Sequence, residues 1–133
     1  MLGLLAGEMS GRFSIRKRLA SFRYALAGLR QLLVTEHNAR IHAAATLLVV
    51  ATGLWVGLDR FEWCWIILAI GLVWFAEAVN TSIERLGDAI TREQSSEIGM
   101  AKDVAAGAVL IFSVAAVLIG LLVVGPHIGA LMK

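Results

Sequence analysis

The chain has few of the residues that build stapled, metal-bound or turn-rich domains. Its one cysteine, Cys64, lies in an apolar run. An intramolecular disulfide is therefore excluded, and Cys64 reads as a small packing residue. No Cys/His spacing suits zinc. Proline occurs once, at Pro126, and charged residues make up only 17% of the 133. There is no Gly-x-x-x-x-Gly-Lys-Ser/Thr loop and no kinase-type glycine-rich loop, so any nucleotide site must be of another design. The first ten residues hold Glu8 and no basic side chain, and no signal peptide is expected there. No internal repeat or low-complexity tract is present, and the length fits one domain.

What the chain does have is apolar sequence. Hydrophobic residues make up 59% of it, with a mean hydropathy of +0.78, which points to a membrane protein. Three apolar stretches, 41–58, 61–79 and 104–124, each approach the roughly 20 residues that cross a bilayer. Gly57-Leu58-Asp59-Arg60 makes a tight polar turn between the first two, flanked by Trp55, Trp63 and Trp65 as in an interfacial aromatic belt. Gly125-Pro126 reads as the stop of the third. Residues 80–103 form a loop region that continues the second helix.

Basic residues set the orientation. Arg12, Arg16, Lys17, Arg18, Arg23, Arg30 and Arg40 precede the first span. Arg60 alone lies in the first loop, Arg85, Arg92 and Lys102 in the second, and Lys133 in the tail. The N-terminus and second loop are expected in the cytoplasm. Within residues 12–34, Ile15, Leu19, Phe22, Leu26, Leu29 and Leu33 form one helical stripe. With its arginines, this segment reads as an amphipathic helix lying in the membrane surface. A coiled coil is the rival, disfavoured because the arginines have no acidic partners on the helix.

The polar residues concentrate at one point. At about 100° per residue, Glu77, Asn80, Thr81, Glu84 and Asp88 fall within an arc of roughly 100° on one helix face. A carboxylate in or beside a bilayer is costly unless it is paired, metal-bound or functional. Glu84 and Asp88 are also a like-charge i, i+4 pair, unfavourable for a merely solvated helix end. Counting from Glu62 at the outer interface, Glu77 lies roughly 22 Å deeper, near the inner boundary of a hydrocarbon core roughly 30 Å thick. Glu36, Lys102 and Asp103 converge on that level, and Glu84 lies about 10 Å further, in the cytoplasmic water layer. Such a plane suits phosphoryl transfer to a lipid alcohol. Glu77 is then the candidate base, Glu84 and Glu36 the candidates for Mg²⁺, and Lys102 the candidate phosphate partner. His37 and His42 read as interfacial or core histidines, His127 as tail. A cation-coupled transporter and a non-catalytic scaffold are the competing readings. A transporter usually carries its carboxylate at mid-membrane in paired repeats, which these three unpaired spans lack.

The residues also resemble a known family, the small prokaryotic diacylglycerol and undecaprenol kinases. Its signature, Glu-x-hydrophobic-Asn-Ser/Thr-Ser/Ala-hydrophobic-Glu with Asp four residues on, reads here Glu77-Ala78-Val79-Asn80-Thr81-Ser82-Ile83-Glu84 and Asp88. Gly87 departs from the usual Val or Thr and is expected to loosen the helix before Asp88. Ala101-Lys102-Asp103-Val104-Ala105-Ala106-Gly107 resembles the family's Lys-Asp block. Phe22, Ala25 and Gly28, with Glu36, Asn38 and His42-Ala-Ala-Ala, resemble its surface helix and first-span entry. Together these blocks cover nearly all of residues 13–126.

The resemblance implies an all-α integral membrane protein, a surface helix plus three transmembrane helices. It implies a homotrimer with active sites shared between subunits, in the bacterial inner membrane. It makes Glu77 the general base and Asn80 a positioning group. Glu36 and Glu84 hold Mg²⁺ with ATP, and Lys17, Tyr24, Lys102 and Asp103 contact the nucleotide. Lys17 stands where diacylglycerol-type members carry Arg. Arg30 and Asn38 join Glu77 on the substrate side, and Asp88 supports. No nucleic-acid partner is expected. The lipid, diacylglycerol or undecaprenol, stays open, although the Glu36-to-Ala45 and Ala105-to-Val109 segments and Glu62-Trp63 look more like the undecaprenol branch.

Overall fold

The computed structural model describes residues 14–91, 93 and 95–132; Arg12, Phe13, Arg92 and Lys133 lie outside the described residues. The elements are four helices, α1 (Ile15–Thr35), α2 (His37–Val56), α3 (Arg60–Ile90) and α4 (Ser96–Leu131). Two units divide between Gln31 and Leu32.

In the first unit, α1 carries its apolar stripe exposed: Ile15, Leu19, Phe22, Leu26 and Leu29 are all accessible. Lys17, Tyr24 and Arg30 lie on this helix, with Tyr24 and Arg30 exposed.

In the second unit, each helix boundary has a local cause. Glu36 is extended (φ −98°, ψ 124°) and interrupts the helix before α2. Arg40 folds back, donating Nε to the Leu33 carbonyl at 3.1 Å and Nη2 to the Val34 carbonyl, carbonyls that a helix end leaves unpaired. Gly57, at φ +77°, ends α2 in the left-handed conformation that glycine adopts most cheaply. Asp59 then starts α3. Its Oδ1 accepts from the Phe61 and Glu62 amides at 2.7 and 2.9 Å, and Glu62 Oε2 accepts from the Asp59 amide at 2.8 Å. This reciprocal cap satisfies donors that would otherwise be orphaned.

The helices outrun the apolar stretches. α3 continues to Ile90, and α4 begins at Ser96, so Lys102 and Asp103 lie inside α4. Pro126 does not stop α4, which runs on to Leu131. Proline's fixed φ is already helical, and its cost is a missing hydrogen bond and local crowding. The turn beyond is anchored because His127 Nε2 lies 2.8 Å from Glu62 Oε1. His127, read from sequence as tail, is therefore tied to the start of α3.

α3 is central. It packs chiefly on α4 and less on α2. Its buried residues, Ile66, Ala69, Val73, Ala76, Glu77, Asn80 and Thr81, follow helical spacing, so one inward stripe changes from apolar to polar along its length. Leu58, Ile66 and Val124 form the apolar cluster at one end, with Val49, Trp63 and Ile119 packed on it. Outward faces stay apolar: Leu47, Leu54, Trp55, Leu118 and Leu122 are exposed. α2, α3 and α4 are each long and apolar enough to cross a membrane, and lipid or another apolar surface is the natural cover for such side chains.

Replacing Asp59 with Ala removes the α3 cap. Thermal unfolding in detergent is expected to show a loss of about 1 kcal/mol, with the helical circular-dichroism signal of the folded state unchanged.

Candidate active site

Where α3's inward stripe turns polar, a cavity of about 280 Å³ opens, lined by Asn38, Ile41, His42, Glu77, Asn80, Glu84, Val109 and Ser113 among others. Glu77 is 2% exposed and Asn80 5%. Asn80 Nδ2 donates to Glu84 Oε1 at 3.0 Å, one turn along the same helix, which fixes both side chains. Glu77 Oε2 and Asn80 Oδ1 are buried without a hydrogen-bond partner. Leaving such oxygens unmet costs about 1–3 kcal/mol each, so the cavity is ready for a donor or a cation. His42 Nε2 lies 3.8 Å from Glu77 Oε2.

A second cavity, about 380 Å³, is almost wholly apolar and shares Ile41, His42 and Ser113 with the first. Val49, Ile66, Ile70, Val73 and Val117 are among its walls. Ser113 Oγ is buried without a partner where the two meet.

The remaining sequence-predicted groups sort into separate clusters. Glu36 lies outside the Glu77 cavity lining. Its Oε1 accepts from Thr35 Oγ1 at 2.8 Å and from Arg85 Nη2 at 3.1 Å. The Thr35 hydroxyl first, then the Arg85 guanidinium, hold the Glu36 carboxyl below the ordinary carboxylate range. Lys102 Nζ pairs with the Asp88 carboxylate, and both line a polar cavity of about 630 Å³ with Thr91, Ser95 and Gly99. Asp103 is exposed on α4. Gly87 does not loosen α3. It is buried, and a Cβ there would meet Ile98 Cγ2 at 2.8 Å and Lys102 Cε at 2.9 Å. The missing side chain is what lets α4 close in and Lys102 reach Asp88.

Two partners escaped the sequence reading. His42, read as an interfacial or core histidine, faces Glu77. Arg85, open from sequence to pairing with a neighbouring helix, reaches Thr35 and Glu36 at the α1–α2 junction. Ser113 marks the meeting of the two cavities, and its signal was available: it is the only polar side chain in 104–124.

Residues 23–124 match the family model for prokaryotic diacylglycerol kinase. The chain belongs to this family. It is 38% identical over 117 residues to the undecaprenol kinase of Bacillus subtilis (strain 168), covering 88% of this chain and 95% of that protein. It is 35% identical over 115 residues to a diacylglycerol kinase of Synechocystis sp. (strain ATCC 27184 / PCC 6803 / Kazusa), covering 86% and 66%. Identity to the diacylglycerol kinase of Escherichia coli (strain K12) is 32% over 106 residues, covering 80% and 87%. A prokaryotic diacylglycerol kinase family member with three such apolar helices is a membrane protein.

The donor set fits a hard divalent ion. Among the described residues no three His, Cys, Asp or Glu side chains gather to cage a metal. Mg²⁺ needs no such cage, taking one or two carboxylates and completing its shell with phosphate oxygens and water. The Glu84 carboxylate and the unmet Asn80 carbonyl are oxygen donors of that kind.

Two outcomes are expected. Glu36's lowered pKa contributes stability that is present above the unfolded-state value, about 4.3, and is lost as pH falls through the folded-state value. Melting temperatures of wild type and Glu36→Gln should therefore differ at pH 7 and converge as pH falls below 4. Gly87→Val should cost about 1–3 kcal/mol from overpacking in the same unfolding assay.

Proposed function

We propose that the protein transfers the γ-phosphoryl group of ATP, with Mg²⁺, to the hydroxyl of a membrane lipid alcohol, diacylglycerol or undecaprenol. The observation that carries this reading is the buried Glu77 carboxylate in a cavity that shares Ile41, His42 and Ser113 with an apolar groove. A lipid alcohol has that shape: an apolar chain ending in a hydroxyl. The groove takes the chain and delivers the hydroxyl to Glu77.

Glu77 accepts the hydroxyl proton as the lipid oxygen forms its bond to the γ-phosphorus and ADP leaves with the electrons of the broken bond. A positioned base typically contributes about 10²–10⁴-fold. Asn80 holds Glu84 and presents its carbonyl to the cavity. Glu84 and Glu36 would hold Mg²⁺, which would neutralise charge on the phosphates. For Glu36 to serve, its pairing with Arg85 must open or be shared. Lys102 and Asp103 on α4 meet the nucleotide, with Lys17 and Tyr24 from α1. Arg30 and Asn38 act on the lipid side, and Asp88 orients Lys102.

The Glu77 cavity and the Lys102 cavity share no lining residue within one chain. That separation supports active sites completed between subunits of a homotrimer. The bias of basic residues toward the N-terminal segment and second loop supports a cytoplasmic N-terminus and site, in the bacterial inner membrane, with α1 in the membrane surface.

The test uses purified protein in mixed micelles with radiolabelled ATP and Mg²⁺, offering diacylglycerol and undecaprenol separately. Label is expected in one lipid, reduced at least about 100-fold in Glu77→Gln. Undiminished label in Glu77→Gln would remove Glu77 as base, and no label in either lipid would overturn the proposal.

A further inference from the structure

Glu77 is held in a place that needs explanation. Its carboxyl is 2% exposed, and the buried Oε2 has no hydrogen-bond partner. Among the described residues, the titratable groups acting on it are His42 on α2, Glu84 about two turns along α3, and Glu36 at the α1–α2 junction. Two of these are acids. Among the described residues, His42 is therefore the one of these groups able to carry positive charge, and its Nε2 is 3.8 Å from Oε2.

The placement of His42 is itself built. Its carbonyl accepts from Thr46 Oγ1 at 2.7 Å. That same hydroxyl accepts from Trp74 Nε1 at 3.1 Å, and Trp74 stands on α3 one turn before Glu77. A polar relay thus ties the His42 turn of α2 to the Glu77 turn of α3, in a region otherwise apolar. His42 also lines both cavities, so its ring sits where a chain-bearing alcohol would pass.

We infer that His42 is a positioning residue for Glu77: its imidazole holds Oε2 and keeps the carboxylate turned into the cavity, leaving the other oxygen to the lipid hydroxyl. This rests on the lipid-kinase reading. A base oriented by a third group gains precision from that contact, and loss of an orienting partner typically costs about 10–100-fold in activity.

The experiment measures steady-state kinetics in the same micelles, varying lipid and ATP in turn. His42→Leu removes the imidazole while filling its space; His42→Ala removes it and leaves a void; His42→Gln restores a donor of similar reach. The wild-type arm comes first. If wild type labels neither lipid, the kinase reading fails and the role of His42 fails with it. If wild type is active, His42→Leu and His42→Ala should lower kcat by about 10–100-fold with the KM for ATP unchanged, and His42→Gln should recover most of that loss. Should the Ala variant not fold, the Leu and Gln pair decides. Repeated in a Glu77→Asp background, where the carboxylate is already withdrawn, His42→Leu should cost far less, since residues acting through one contact are not additive. Unchanged kcat, a loss confined to the lipid KM, or equal losses in the two backgrounds would each overturn the inference while leaving the kinase reading intact.

Discussion

Glu77 lies on the face that α3 turns toward its neighbours, and the cost of keeping a carboxylate there governs how the surrounding side chains are used. A buried acid without compensation is expensive. Here the surroundings offer a histidine at ion-pair reach, an adjoining amide bound to a second acid, and an open cavity instead of packed hydrocarbon. Both halves of the stripe border open volume, about 280 Å³ at Glu77 and about 380 Å³ beside Ile66 and Val73, while Leu58, Ile66 and Val124 pack together at the far end.

Charges elsewhere are arranged so that they do not compete for Glu77. The like-charged pair of Glu84 and Asp88 is divided: Glu84 is bound by Asn80 and Asp88 by Lys102. Arg85, between them in sequence, points to Glu36. Among the described residues, Arg85 and Lys102 near the α3–α4 turn each have an acidic partner other than Glu77. These pairs are partly exposed and contribute little stability individually; their value lies in arrangement.

The sequence revealed what depends on period and composition. The three apolar runs correspond to three long helices, and the spacing of Glu77, Asn80 and Glu84 correctly put them on one face, because 3.6 residues per turn is a local property. The Asp59 turn was also readable, since capping depends on near neighbours. Features set by which helix lies against which were not readable. Nothing local says that His42 meets Glu77, that Lys102 pairs with Asp88 across fourteen residues, or that His127 reaches back to Glu62. Pro126 misled for the same reason: its local rule is to stop a helix, and a distant partner holds the next turn in place. Gly87 looked like a weak point in one helix and is instead the contact surface for another.

Gly53 and Gly87 together set the spacing of the three helices. At Gly53, α2 is drawn so close to the start of α3 that Leu58 and the Trp63 ring occupy the space of a Cβ. At Gly87, near the opposite end of α3, α4 is drawn in equally close by Ile98 and Lys102. Neither glycine lines the Glu77 cavity or the apolar groove. Each end of α3 thus admits one close neighbour through a missing side chain, and added bulk at either glycine would have to displace that neighbour although the glycine lines neither cavity.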